Sequence, residues 1–208
     1  MYCAGNKKIE KVYRLKKYTI RKSMLLETGC KDEGDYKMNI VLHEPEIPSN
    51  TGNIGRTCVA TGTVLHLIKP LGFSLDDKLL KRAGLDYWKD LDVRVYESFQ
   101  DFLEKNPGAK VYMATTKAHR RYDEVAFKPD DFIMFGKETA GIPEEILVDH
   151  EEDCIRIPMN ESIRSLNLAN SAAVILYEAL RQQRFEGLQE YGELHRLSWK
   201  NREAGTGG

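Results

Sequence analysis

The chain has 208 residues, of which 41% are hydrophobic, so it is long enough to bury one core of ordinary size as a single globular domain. Its formal net charge of −1 argues against nucleic-acid binding through bulk charge. No run reaches the roughly 18 apolar residues of a membrane helix, and the N-terminus lacks the apolar stretch of a secretory signal. We therefore expect a soluble, cytoplasmic protein.

The charge is distributed unevenly along the chain. Residues 1–37 carry ten Lys or Arg against five Asp or Glu, a net of +5, and the rest of the chain has a net charge of −6. We interpret 1–37 as a flexible basic N-terminal extension, with Met38 as a second plausible start. Any nucleic-acid site in the remainder must be a local patch, for which 78–82 (KLLKR) and 117–121 (KAHRR) are candidates. A merely solvated surface is the alternative for both patches.

The cysteines and histidines do not form a recognisable ligand pattern. The four cysteines show no C-x-x-C spacing, and no two of the five histidines are spaced as H-x-x-x-H. We predict reduced cysteines and no metal.

Apolar segments alternate with helical ones along residues 38–184. In chain order we predict a strand at 38–44, a helix at 50–62, a strand at 64–70, a helix at 78–84, a strand at 93–97, a helix at 99–105, strands at 110–116 and 131–136, a helix at 143–150, a strand at 154–159 and a helix at 166–184. The strands are too uniformly apolar for one face of the sheet to be exposed to solvent. The pattern predicts an α/β fold, a parallel sheet flanked by helices in one domain, followed by a C-terminal tail at 185–208.

Helix boundaries are indicated by their capping residues. Asn50 or Thr51 lies near the predicted N-cap of the first helix, and Gly62 follows its end. Ser98 is the predicted cap of the third helix, and Asp76 or Asp77 can start the second.

Familiar nucleotide-binding motifs are absent. The sequence has no G-x-G-x-x-G, and the glycines of 136–141 are followed by Ile142 and Pro143 where a phosphate-binding P-loop needs Lys and Ser or Thr. The G-x-x-G at 52–55 is too short to indicate RNA binding by itself.

Three loops after predicted strands nevertheless carry polar residues. The first, 44–57, brings Asn50, Asn53 and Arg56 to a helix start, where exposed amides and a guanidinium suit an anion such as phosphate. Ordinary capping with a solvated arginine is the alternative.

The second and third loops are similar in character. Glu138 lies between two glycines directly after a predicted strand. Arg164, Ser165 and Asn167 precede the last helix, whose apolar face must be buried. Caps and turns alone are the alternative, but three such loops at the carboxyl ends of strands favour a ligand site.

The three loops carry a resemblance to a known family. The stretches 44–58 (EPEIPSNTGNIGRTC), 135–143 (FGKETAGIP) and 157–178 (IPMNESIRSLNLANSAAVILYE) resemble the three motifs of the SPOUT superfamily of RNA methyltransferases. They are most similar to the TrmL type, which methylates the wobble-nucleotide ribose of tRNA. The match runs from Met38 to about Gln183.

The resemblance implies a homodimer with a C-terminal trefoil knot that holds S-adenosyl-L-methionine. Carried over position by position, it implies a set of cofactor-binding residues: Ala114, Thr115, Gly136, Ile157, Ser165 and Leu166.

The resemblance also implies roles for polar residues. Arg56, Glu138, Ser165 and Asn167 match the family's catalytic positions, and Arg56 is expected to act on the 2′-hydroxyl from the partner subunit. The implied RNA-binding residues are Asn50, Asn53, Arg56 and Arg164. Which group accepts the proton is left open by the sequence.

The expected function is 2′-O-methylation of the first anticodon nucleotide, cytidine or uridine, in the anticodon loop of tRNA. One alternative is ribose methylation elsewhere in tRNA or in ribosomal RNA. Another is an RNA-binding protein without catalysis. The chain has no large added RNA-binding domain, which favours a small, exposed target.

Overall fold

The computed structural model describes residues 37–75, 86–197 and 199. Three predicted features lie outside these residues: the basic extension at 1–37 except for Lys37, the helix expected to start at Asp76 or Asp77, and the KLLKR patch.

Six parallel strands form one sheet with the order β3-β2-β1-β5-β4-β6. The central strand β1 pairs in parallel with both of its neighbours, since Val41 is in register with His66 on β2 and with Met134 on β5. The predicted parallel sheet is confirmed. The strands are β1 Asn39–His43, β2 Val64–Ile68, β3 Val93–Tyr96, β4 Val111–Ala114, β5 Phe132–Phe135 and β6 Cys154–Ile155.

Helices cover both faces of the sheet, as predicted. They are α1 Pro48–Thr61, α2 Phe99–Lys105, α3 Glu144–Leu147 and α4 Leu168–Gln182, with short 3-10 helices at Asp86–Asp90, Tyr122–Glu124 and Val148–Asp153. None of the described helices has both the length and the apolar character needed to cross a membrane.

Side chains along each strand point alternately to the two faces of the sheet, and the buried ones form two hydrophobic clusters. Ile40 on β1 packs in one cluster with Ile54 of α1 and Ile175 of α4. Its neighbour Val41 points to the opposite face and packs with Phe102 of α2. This alternation places α1 and α4 on one face of the sheet and α2 on the other.

Helix α1 begins earlier than the sequence predicted. Its N-cap is Ile47 and Pro48 occupies the first turn, so Asn50 and Thr51, predicted to lie near the cap, follow it within the first turns of the helix. Proline at the start of a helix has the required φ and lacks only an N–H that would have no intrahelical partner. Asn50 is therefore buried inside the first turn and its side chain is available for contacts with other loops.

Two further boundaries can be compared with the prediction. The Ser98 Oγ accepts a hydrogen bond from Asp101 N at 3.1 Å, which confirms the predicted cap of α2. The last strand is shorter than the predicted 154–159, because β6 ends at Ile155. Beyond it, Ile157 and Met159 leave the sheet and line a cavity.

One histidine is fully buried in the sheet. His66 Nδ1 lies 2.9 Å from the Tyr96 hydroxyl, and His66 Nε2 lies 3.1 Å from Asn39 Oδ1. Burial lowers the pKa of His66 to about 4, which keeps the ring neutral near pH 7.

Candidate functional site

A cavity of about 510 Å³ opens at the carboxyl ends of β4, β5 and β6. Its walls include the last residues of these strands, Ala114, Phe135 and Ile155, together with 164–168 before and at the start of α4. Ligands of open α/β sheets bind at this edge, where the loops after parallel strands meet. Residues from all three polar loops identified in the sequence line this cavity.

Most of the predicted site residues line this cavity. Among the predicted catalytic and RNA-binding residues, Arg56 and Asn53 do not line it, and both are exposed on α1. Their roles, like those of the other residues, stay predictions. The predicted residues in the cavity wall are Asn50, Ala114, Thr115, Gly136, Glu138, Ile157, Arg164, Ser165, Leu166 and Asn167.

The turn after β5 is closed so tightly that only glycine fits at its start. A Cβ on Gly136 would lie 1.9 Å from the carbonyl carbon of Gly141 and 2.1 Å from Ile142 N. The turn is held by a hydrogen bond of 2.8 Å from Gly141 N to the Lys137 carbonyl, and Gly141 has a φ of 75°. The cavity wall at this point is therefore bare backbone.

Glu138 connects this turn to the start of α1. One carboxylate oxygen accepts from Glu46 N at 2.9 Å, and the other accepts from Ile47 N at 3.3 Å and from Asn50 Nδ2 at 3.0 Å. Three donors thus converge on one carboxylate, which fixes two loops against each other.

Asn167 extends the same connection to the third loop. Its Nδ2 donates to Asn50 Oδ1 at 3.0 Å, while its Oδ1 accepts from Ala169 N at 2.9 Å and from Asn170 N at 3.3 Å. Asn167 is therefore the N-cap of α4 and also a contact between two loops of the cavity. It both caps the helix and belongs to the site, which the sequence analysis had treated as alternatives.

A second set of polar contacts surrounds the first. Thr139 donates from its N–H and its hydroxyl to the Glu46 carboxylate, at 3.2 and 2.8 Å, and the Thr139 carbonyl accepts from Arg164 Nη2 at 3.3 Å. Lys137 forms an ion pair of 3.1 Å with Glu44. The cavity is thus surrounded by loops that are hydrogen-bonded to one another.

Arg56 lies on the exposed side of α1 and contacts an aromatic ring. Its guanidinium carbon is 4.9 Å from the ring centroid of Tyr87, a geometry typical of a cation–π interaction. The Tyr87 hydroxyl donates to the carbonyl of Gly52, which is also in α1.

Sequence reasoning did not identify Lys117 as a site residue, although the KAHRR patch contains it. Lys117 lines the cavity and forms an exposed ion pair of 2.8 Å with Glu144. In the same patch, Arg121 pairs with Asp123 at 3.0 Å. The partner of Lys117 is distant in the sequence, whereas the partner of Arg121 follows it by two residues.

No group of three His, Cys, Asp or Glu side chains in the described part of the chain is arranged to hold a metal ion. Cys58 and Cys154 are buried and free, and burial raises the pKa of the Cys58 thiol to about 12.

The strands and loops that form the cavity lie within a stretch that matches a known protein family. The sequence pattern of the SpoU rRNA methylase family covers residues 37–177, which include all six strands and most of α4. The chain belongs to the SpoU rRNA methylase family. The resemblance inferred from the three loops is confirmed.

Other members of the SpoU family are similar over nearly their whole length. The tRNA (cytidine(34)-2'-O)-methyltransferase of Methylovorus glucosotrophus is 52% identical over 150 residues, which cover 72% of this chain and 97% of the relative.

Solved structures of SpoU-type methyltransferases share the fold. One, described as "Structural insights into the 2-OH methylation of C/U34 on tRNA", has a TM-score of 0.67 and 45% identity, covering 72% of this chain and 97% of the other. An AdoMet-bound rRNA methyltransferase from Sinorhizobium meliloti has a TM-score of 0.62 and 25% identity, covering 72% of this chain and 57% of the other.

Proposed function

We propose that this protein transfers a methyl group from S-adenosyl-L-methionine to the 2′-hydroxyl of the wobble nucleotide of tRNA, a cytidine or uridine. The observation that carries the proposal is the 52% identity to a tRNA (cytidine(34)-2'-O)-methyltransferase over 97% of that enzyme's length. The three loops that carry the family motifs also line one cavity at the carboxyl edge of the sheet. Since tRNA is the substrate, we also propose a cytoplasmic location.

The cavity suits S-adenosyl-L-methionine in size and in the character of its walls. Gly136 leaves backbone exposed to the cavity, while Ile157 and Leu166 provide apolar surface for an aromatic base. Ala114, Thr115 and Ser165 complete the proposed binding set. When bound there, the cofactor supplies an electrophilic methyl group on a sulfonium.

The polar residues have different proposed roles in the reaction. Arg56 binds RNA phosphate and stabilises the alkoxide that develops on the ribose, because a guanidinium keeps its charge in proteins. Ser165 lines the cavity, and its hydroxyl has no protein partner within the described ranges, so it is available to hydrogen-bond the ribose. Glu138 and Asn167 hold the loops in place through the contacts described above.

Asn50 and Arg164 line the cavity beside these groups and are the proposed RNA contacts within it, and Asn53 is the proposed contact on α1. The Arg164 guanidinium uses one N–H for the Thr139 carbonyl. Its remaining N–H groups can therefore donate to a phosphate.

A homodimer accounts for the position of Arg56 outside the cavity of its own chain. Helix α4 exposes Val174 and Tyr177, with 39% and 47% of their surfaces accessible, beside residues that pack against α1. Apolar side chains at positions i and i+3 form one stripe, which suits the same helix of a second copy. In the proposed dimer, Arg56 of one subunit reaches the cavity of the other.

A trefoil knot is part of the same proposal. Two features support it: β5 lies between β1 and β4 although β4 comes earlier in the chain, and the loop with Ser165 meets the turn at 136–141 in one cavity. Passage of the C-terminal segment through this region would bring the three loops together around the cofactor.

Synthetic anticodon stem-loops test the proposed acceptor atom. The protein is incubated with radiolabelled S-adenosyl-L-methionine and a stem-loop that carries cytidine at the first anticodon position. We expect label in this RNA, and none when the same nucleotide is 2′-deoxycytidine, because that substitution removes the acceptor oxygen alone. Equal labelling of both RNAs would place the methyl group on another atom.

A further inference from the structure

We infer that Tyr87 is a positioning residue, which holds the guanidinium of Arg56 in the orientation that methyl transfer requires. The inference rests on the proposed function, since it assigns Tyr87 a purpose through Arg56. Tyr87 belongs to the 3-10 helix Asp86–Asp90, which lies outside the three family motifs.

The Tyr87 ring is the defined contact of the Arg56 guanidinium, at 4.9 Å from ring centroid to guanidinium carbon. No carboxylate forms an ion pair with Arg56 in the part of the chain that the structure describes. Arg121 and Arg181, by contrast, are held by carboxylates at 3.0 and 2.7 Å. The direction of the Arg56 side chain therefore depends on an aromatic face.

Tyr87 is itself fixed to the helix that carries Arg56. Its hydroxyl donates to the Gly52 carbonyl, one turn before Arg56 in α1. The residues after Tyr87 pack against the same helix, since a Cβ on Gly55 would lie 3.0 Å from the Leu91 side chain and 3.2 Å from that of Trp88. Gly55 thus permits the close approach that places the ring beside Arg56.

An aromatic partner suits the proposed chemistry better than a carboxylate does. A carboxylate would bind the N–H groups of the guanidinium and neutralise its charge, whereas a ring face leaves these donors free for phosphate or an alkoxide. Burial raises the pKa of the Tyr87 hydroxyl, while a hydrogen bond and the positive charge of Arg56 oppose that shift. Arg56 is thereby oriented without loss of its positive charge.

Ring electronics can be changed without changing ring size. We would measure kcat on the anticodon stem-loop for Tyr87→Phe, for Tyr87→Leu and for phenylalanine analogues at position 87 with one, two and three fluorines. Fluorination weakens the negative face of the ring and hence its attraction for a cation. We expect kcat to fall stepwise across the fluorinated series. In Tyr87→Leu we expect a roughly tenfold fall, because losing the whole cation–π contact should raise the activation free energy by an amount that corresponds to about this factor. The cofactor Kd should be unchanged.

The controls separate this role from a structural one. Tyr191→Leu changes a tyrosine with 85% of its surface exposed and should leave kcat unchanged. A merely structural role of Tyr87 would lower the Tm in Tyr87→Leu but leave kcat constant across the fluorinated series, and that result would overturn the inference. If wild type methylates the stem-loop and the series is flat, only the role of Tyr87 is rejected. If wild type methylates no RNA, the proposed function fails first and the inference fails with it.

Discussion

The carboxylate of Glu138 accepts a hydrogen bond of 3.0 Å from the side-chain amide of Asn50, across 88 positions of sequence. The same amide group of Asn50 accepts at its oxygen from Asn167, 117 positions further on. Two hydrogen bonds thus join the three loops that carry the family motifs. The polar residues of these loops stabilise the shape of the cavity as well as lining it.

Removing the carboxylate of Glu138 should destabilise the site. In Glu138→Ala, the exposed donor Ile47 N can turn to water, but the partly buried donors Glu46 N and Asn50 Nδ2 lose their acceptor, at a cost of about 1–3 kcal/mol. We expect the free energy of unfolding to fall by about 2 kcal/mol, with weaker cofactor binding in calorimetry. Glu138→Gln keeps one acceptor oxygen and should lose less. The exposed Glu145→Ala is the control, and an equal loss in that variant would refute the assignment.

A side chain at Gly136 should prevent cofactor binding. The Cβ of Gly136→Ala would overlap the backbone of Gly141, so the turn must move into or away from the cavity. We expect at least a tenfold increase in the cofactor Kd, and a larger one for Gly136→Val. Gly192→Ala is the matched control, because a Cβ there meets no atom within 4 Å. Unchanged cofactor affinity in both Gly136 variants would place the binding site elsewhere.

The sequence predicted the sheet but not the contacts between its loops. Uniformly apolar strands such as Phe132–Phe135 required burial on both faces, which a parallel sheet with flanking helices provides. The partners of Glu138 could not be predicted from spacing, because they become neighbours only when the chain has folded. The residues assigned to the cofactor came from resemblance to the SPOUT superfamily, and Tyr87 was missed because an isolated tyrosine carries no recognisable pattern.

Loss of Arg56 should stop the chemical step and leave the cofactor site intact. The residue is exposed and does not line the cavity, so we expect Arg56→Ala to reduce kcat by a hundredfold or more while cofactor affinity and Tm stay unchanged. Arg56→Lys keeps the charge but loses the planar donors, and should recover little activity. A large rise in the cofactor Kd of Arg56→Ala would contradict the role assigned to this residue.

Mixing two inactive variants tests whether Arg56 acts across a dimer. When Arg56→Ala and Gly136→Ala chains are co-refolded, half of the dimers are mixed, and each mixed dimer combines one intact cofactor site with one intact partner arginine. We expect about a quarter of wild-type activity to return. If Arg56 served its own subunit, neither site of a mixed dimer would be complete, and no activity would return.

His66 should make the fold sensitive to acid. Its pKa is lowered from 6.5 to about 4 in the folded chain, so between these pH values the unfolded chain binds a proton that the folded chain does not. The free energy of unfolding should therefore fall as the pH decreases from 6.5 to 4, by about 3 kcal/mol in total. In His66→Gln, which does not titrate, urea unfolding should depend less on pH over this window. Equal slopes for the two proteins would contradict a neutral, buried His66.

The position of the transferred methyl group tests the proposed function most directly. Total tRNA that lacks wobble-ribose methylation is incubated with the protein and S-adenosyl-L-methionine, digested with nucleases, and analysed by mass spectrometry. We expect a new ribose methyl on the first anticodon nucleotide, and none with Arg56→Ala. A methyl group at another nucleotide of tRNA, or none on any tRNA, would keep the fold and the family but contradict the proposed substrate.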